Sequence, residues 1–240
     1  MRNYVTTAAL LVGLCGPAYS QLTAGAAPRV AAQNTEVTAA LEAEVRQKAA
    51  EWVASLQLRD AAKEAGVQQV IVTHLTTIHA YAQAHPYTDT PAGINLATGK
   101  PLSTLERQLI ATSALPATVH ANLMSGLRQH LTPEQVEAVL DQYTIGKVAF
   151  TLRGYKAIIP DLTATEEAVI LTNLKQAREQ AVNFTTMKQI SAIFEIYKIQ
   201  NEAYLNTHGR NWRELFSTYV KAAQARKAAD KAPAQKAALP

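Results

Sequence analysis

Apolar residues recur along this chain at steps of three and four, the spacing that puts them on one face of an α-helix. Leu41, Val45, Ala49, Trp52, Val53 and Leu56 form the first such stripe, and Val67, Val70, Ile71, Leu75 and Ile78 form the second. Met187, Ile190, Phe194 and Tyr197 repeat the pattern, as do Trp212, Leu215, Phe216 and Tyr219. Start signals fall in phase with the stripes. Ser103 with Glu106, Thr132 with Gln135, Thr163 with Glu166 and Asn211 with Glu214 have the spacing of capping boxes. Pro133 stands at a first helical position, where its missing N–H costs nothing. Gly209 suits a left-handed helix end.

These signals predict an all-α fold, a single domain of about eight helices: 36–58, 60–83, 103–114, 117–130, 133–143, 146–159, 164–207 with a break near 184, and 212–226. Only 146–159 competes with a strand reading, because Val148, Phe150 and Leu152 alternate. Val148, Leu152, Tyr155 and Ile159 fit a helix better. Gly146 and Gly154 at this helix cost helical stability, which close helix packing or a ligand approaching the backbone would explain.

One segment, 85–101, breaks the periodicity. It carries Pro86, Pro91 and Pro101, which restrict the unfolded chain, and it is expected to be ordered and to lie beside the main concavity. Tyr87, Ile94 and Leu96 supply the apolar surface to hold it down.

The ends of the chain add a compartment. Met1-Arg2-Asn3, an apolar run from Tyr4 to Leu14, and Ala18-Tyr19-Ser20 read as a signal peptide over 1–20, cut between Ser20 and Gln21. The run is too short for a bilayer, which needs roughly 20 apolar residues, and no later apolar run is long enough to anchor the chain. Cys15 is the sole cysteine and would leave with the signal, and Leu14 and Val12 before it make a poor lipid-attachment motif. The expected mature protein is therefore periplasmic or secreted, without disulfides. Residues 21–35 read as a linker, 36–226 as the helical domain and 227–240 as a disordered basic Ala/Lys tail. The net charge of +4 sits at the end of the chain, where Lys221, Arg226, Lys227, Lys231 and Lys236 crowd against Asp230, and a terminal basic run of this kind argues against a nucleic-acid partner.

Strong catalytic motifs are missing: no HExxH, no phosphate-cradling glycine loop, no GxSxG and no EF-hand loop. No two of the six histidines are four residues apart, so no metal and no cofactor is expected. Two weaker constellations remain. His85 and Asp89 pair an imidazole with a carboxylate, the parts of a general acid–base site, with Tyr87 and Asn95 beside them as ligand-binding candidates. The plainer reading is turn chemistry, with Tyr87 plugging the loop. Arg210, Asn211, Trp212 and Arg213 could present an aromatic face flanked by hydrogen-bonding groups to a sugar. Here the plainer reading is a helix cap followed by a core tryptophan. Trp52 reads as core, and Arg107 and Arg153 as plain helix surface.

His85-Pro86-Tyr87, Pro91-Ala92-Gly93-Ile94-Asn95, Tyr143 to Phe150, Gly154-Tyr155, Ile159 to Thr163 and Gly209 to Trp212 together resemble a family of exported helical bacterial proteins known as a domain of unknown function. The resemblance spans roughly residues 40 to 222 and implies a setting among polysaccharide-degradation genes, with a glycan or other exported proteins as partners. It carries over no catalytic residue. Leu131-Thr132-Pro133-Glu134-Gln135 also echoes a motif of small periplasmic chaperones, though it is equally a capping box. Three expectations follow: an accessory or binding protein in glycan utilisation; alternatively a glycan-acting hydrolase or lyase with its site at the 85–101 loop; and third, a chaperone-like protein.

Overall fold

The computed structural model describes residues 26–236, with side chains over 39–229. The expected signal peptide and the last residues of the expected tail lie outside that range. By its contacts the chain divides into Met1–Glu44 and Val45–Pro240. The core and the sites discussed below belong to the second unit.

The fold is all-α. Among the described residues the order is α1 (Ala26–Ser55), α2 (Ala61–Ala84), a 3-10 turn at Tyr87–Asp89, β1 (Ile94–Asn95), β2 (Lys100–Pro101), α3 (Thr104–Ser113), α4 (Ala117–His130), α5 (Pro133–Tyr143), α6 (Lys147–Ile158), α7 (Ala164–Ala181), α8 (Met187–Thr207) and α9 (Trp212–Lys236). The predicted 164–207 segment is thus two helices divided at the expected place. The stretch 146–159 is the helix α6. Backbone helix extends further than expected at both ends, into 26–35 and 227–236. Both stretches are rich in Ala, and the later one also in Lys, all strong helix formers.

Capping accounts for most starts. Ser103, Thr132 and Thr163 complete full capping boxes with Glu106, Gln135 and Glu166, and Thr186 does the same with Gln189. Asp60 accepts from the amides of Ala62 and Lys63 to open α2. Gly209, at φ +89°, ends α8 in the left-handed region.

Two apolar groups organise the body. In one, α2, with Val67 and Ile71 buried, packs on α4, with Leu123 and Leu127 buried, and α4 in turn packs on α5, where Val139 and Leu140 are buried. Gly126 permits the close approach of α2 and α4: a Cβ there would stand 2.7 Å from Cγ2 of Val70. In the other, Ile170, Leu174, Ala177 and Ala181 of α7 face Ile190, Ile193, Phe194 and Tyr197 of α8, with Tyr155 and Ile159 of α6 sealing the side. Each fully buried aliphatic side chain contributes about 1.5–3 kcal/mol.

Buried polar groups tie the helices together. His74 is 3% exposed, and its ring nitrogens bond the Tyr143 hydroxyl at 3.1 Å and Asn183 Oδ1 at 3.2 Å. Burial drives its pKa down to about 4, so the ring is neutral in the fold. Tyr143 also receives the half-buried Trp52, ring centroids 4.7 Å apart. Arg178 is 1% exposed and is neutralised by Glu137 and Asp141, each at 2.7 Å.

Candidate functional site

The 85–101 segment is ordered by α3. Gln108 accepts from the Tyr87 amide at 3.0 Å, Asn95 donates to Glu106, and the Arg107 guanidinium donates to the carbonyls of Thr88 and Thr90. Arg107, expected to be a plain surface residue, is the clamp of the loop and also lies 5.5 Å over the Tyr87 ring. Asn95 accepts from the amides of Ala97 and Thr98, which is turn chemistry. Among the described residues the Asp89 carboxylate accepts from its neighbour Thr88 alone, at 3.4 Å, and the His85 ring lies tilted against Tyr81 with centroids 4.2 Å apart. Both are exposed, and no hydrogen bond joins them among the described residues. The expected apolar anchoring differs from what is found: Leu96 is 97% and Ile94 62% exposed, because polar bonds to α3 hold the loop instead. None of His85, Tyr87, Asp89 and Asn95 lines the cavity between α6, α8 and α9 described below.

The second constellation divides. Arg210 is committed to structure: Nε and Nη2 donate to the two Glu166 oxygens at 2.8 and 2.9 Å, and Nη1 to Asp161 at 2.8 Å. That pairing lowers the Glu166 carboxyl to about 2 and fastens the α8–α9 turn to the start of α7. Asn211 caps α9 by accepting from the Glu214 amide at 3.2 Å. Arg213 is exposed and does not line the cavity between α6, α8 and α9. Trp212 alone turns its ring into that cavity.

The cavity, about 740 Å³, opens between α6, α8 and α9. Its aromatic wall is continuous. Tyr155 and Trp212 lie 5.3 Å apart, Trp212 and Phe216 5.9 Å apart with ring planes within 22°, and Tyr219 follows one turn on. Phe150 stands at the rim, 68% exposed, and Phe216 is 47% exposed. Polar groups face the rings. Glu195, Lys198 and Glu202 project from one face of α8, Lys198 bonding Glu195 at 2.8 Å. Burial raises the Glu202 carboxyl above the usual range; Lys198 opposes this and Glu195 adds to it. The Tyr155 phenol, raised by burial and then by the Glu202 charge, stays protonated and donates to the Lys198 carbonyl at 3.3 Å. Concave, mostly apolar walls with a few convergent polar groups are the usual form of a small-molecule site.

Gly154 lies on this cavity in the middle of α6. A Cβ built there meets nothing within 4 Å, so helix packing does not require the glycine. Of the two explanations open from sequence, backbone access from the cavity is the one this geometry favours.

The match to a family model covers residues 42–225, and its description is "Protein of unknown function (DUF3826)". The chain belongs to the DUF3826 family. No curated protein matches the sequence. The DUF3826 match contains the whole lining of the α6–α8–α9 cavity. Among the described residues, no group of three or more His, Cys, Asp or Glu could hold a metal ion, and no helix is long and apolar enough to cross a membrane.

Part of this cleft is written in the sequence. The stripe Trp212, Phe216, Tyr219 was legible, but helical periodicity does not distinguish a core face from a cleft wall. Glu195, Lys198, Glu202 and Arg153 had no signal, because their cleft forms only when three helices separated in sequence come together.

Proposed function

We propose that this DUF3826 protein is an exported, non-catalytic glycan-binding protein and that the α6–α8–α9 cleft is its binding site. The observation that carries the reading is the open Gly154 backbone facing the Tyr155–Trp212–Phe216 wall. A sugar presents apolar C–H faces and a rim of hydroxyls. Aromatic faces take the first, and Glu202, Lys198 and the nearby Thr151 and Ser191 hydroxyls take the second. The glycan setting comes from the family resemblance, and export from the signal-like first 20 residues. Binding of a neutral and acidic oligosaccharide panel, measured by calorimetry, tests the site. Phe216→Ala and Phe150→Ala remove exposed rings and leave the fold intact; each weakens binding roughly fivefold, about the worth of one aromatic contact. Unchanged affinity in both variants refutes the assignment. The intact mass of the exported protein tests the processing, with Gln21 expected first.

A catalytic reading of the same cleft has one observation in its favour, a Glu202 carboxyl on the cavity lining whose burial favours its protonated form. It replaces the 85–101 loop as the place to look for glycan cleavage, since the loop's carboxylate, Asp89, is exposed outside the cavity. Under this reading Glu202→Gln abolishes turnover and retains binding; turnover that survives the change rules it out.

A further inference from the structure

We propose that the ligand of the cleft is an extended acidic oligosaccharide, a chain carrying uronate carboxylates, held by Lys147, Arg153 and Arg226. The proposal rests on the glycan-binding reading and adds the chemical class of the glycan.

A second cavity of about 520 Å³ lies along α9 and shares Ala157, Ile158 and Tyr219 with the first. The two form one groove running from the start of α6 to Arg226. Arg226 stands 14 residues beyond Trp212 on the same helix, about 21 Å at the rise of an α-helix. A monosaccharide cannot reach both ends, and a chain can.

The charges of the groove then sort into two sets. Lys198 is neutralised by Glu195, and Arg210 by Glu166 and Asp161. Lys147, Arg153 and Arg226 line the groove without an ion-pair partner among the described residues. Lys147 is held 5.7 Å over the Phe194 ring, and both residues line the groove. On the acidic side, Glu202 and Glu214 line the groove without an ion-pair partner among the described residues, Glu214 accepting only from the neutral Asn211 amide at the α9 cap. Three cations against two carboxylates, all without ion-pair partners among the described residues and set along an aromatic wall, leave a positive excess that complements a chain alternating apolar sugar faces with carboxylates. Arginine meets a carboxylate with two parallel N–H bonds, which makes Arg153 and Arg226 selective for that group over a hydroxyl.

The test uses the full chain and uronate oligosaccharides of galacturonate, glucuronate and mannuronate type, each paired with its methyl ester. The ester has the same sugar with its charge masked. Penta-glutamate serves as an anionic peptide control. The expected result is that at least one acid binds roughly tenfold or more tighter than its ester. Arg153→Gln and Arg226→Gln, both exposed changes, should each erase most of that difference while leaving the ester's affinity unaltered. Esters or neutral glycans binding as well as the acids would overturn the proposal and leave the glycan-binding reading standing. Penta-glutamate binding as tightly as the acids would overturn it in favour of general anion attraction. Failure of every saccharide to bind would remove both.

Discussion

Trp212 and Phe216 stand one turn apart at the start of α9, with near-parallel rings 5.9 Å apart. The first is packed against the core and the second is half exposed over the cavity. One apolar stripe therefore serves two purposes: its beginning anchors α9 to α6, and its continuation furnishes the wall of a cleft. Because the anchoring half is structural, the cleft is pre-formed and its affinity can be probed by changes on the exposed half alone.

The Arg210–Glu166 pair is expected to hold the α8–α9 turn without taking part in binding. Arg210→Ala should lower the unfolding midpoint by more than Asn211→Ala, whose lost cap is worth about 1 kcal/mol. The pH dependence has a definite sign. The Glu166 carboxyl falls from its ordinary 4.5 to about 2 in the fold, so its stabilisation is complete above 4.5 and is lost as pH falls from 4.5 toward 2. Thermal melts across that window check it: Glu166→Gln should flatten the slope there.

His74 produces a second, separate window. Its pKa is about 4 in the fold against an ordinary 6.5, so the unfolded chain takes up the proton first. Stability is full above 6.5 and declines as pH falls toward 4, by on the order of 3 kcal/mol in all. Denaturant titrations of wild type and His74→Gln between pH 7 and pH 4 are the measurement. The variant is expected to be less stable at pH 7 and to lose the slope; an unchanged slope would mean that another group is responsible.

Arg107 is predicted to be the residue on which the order of the 85–101 loop depends. Arg107→Ala removes the donors to Thr88 and Thr90 and the cation over Tyr87. Amide exchange in residues 88–96 should accelerate while the α7–α8 core keeps its protection. His85→Ala and Asp89→Ala, at exposed positions, should leave both exchange and glycan binding as they are. Loss of binding in either would return the site to the loop.

Much of the architecture was legible in local pattern. Ser103, Thr132 and Thr163 marked helix starts because capping is an interaction over three residues, and Gly209 marked an end because only backbone conformation is at issue there. What was not legible depends on pairs distant in sequence. Arg210 looked like a ligand group until Glu166, far back at the start of α7, claimed it. His74 gave no sign of its partners Tyr143 and Asn183. Leu96 looked like an anchor because hydrophobicity predicts burial only on average, and the side chains of α3 had already satisfied the loop by hydrogen bonds.

The most direct test of the binding cleft is the glycan affinity of Gly154→Ala, read by calorimetry against a saccharide that binds the wild type. A methyl group there meets no protein atom, and the change should raise stability by about 0.5–1 kcal/mol through helix propensity alone. The account predicts that this more stable protein binds the glycan at least severalfold more weakly, because the methyl group occupies the surface the sugar needs. Equal or tighter binding by Gly154→Ala would contradict it.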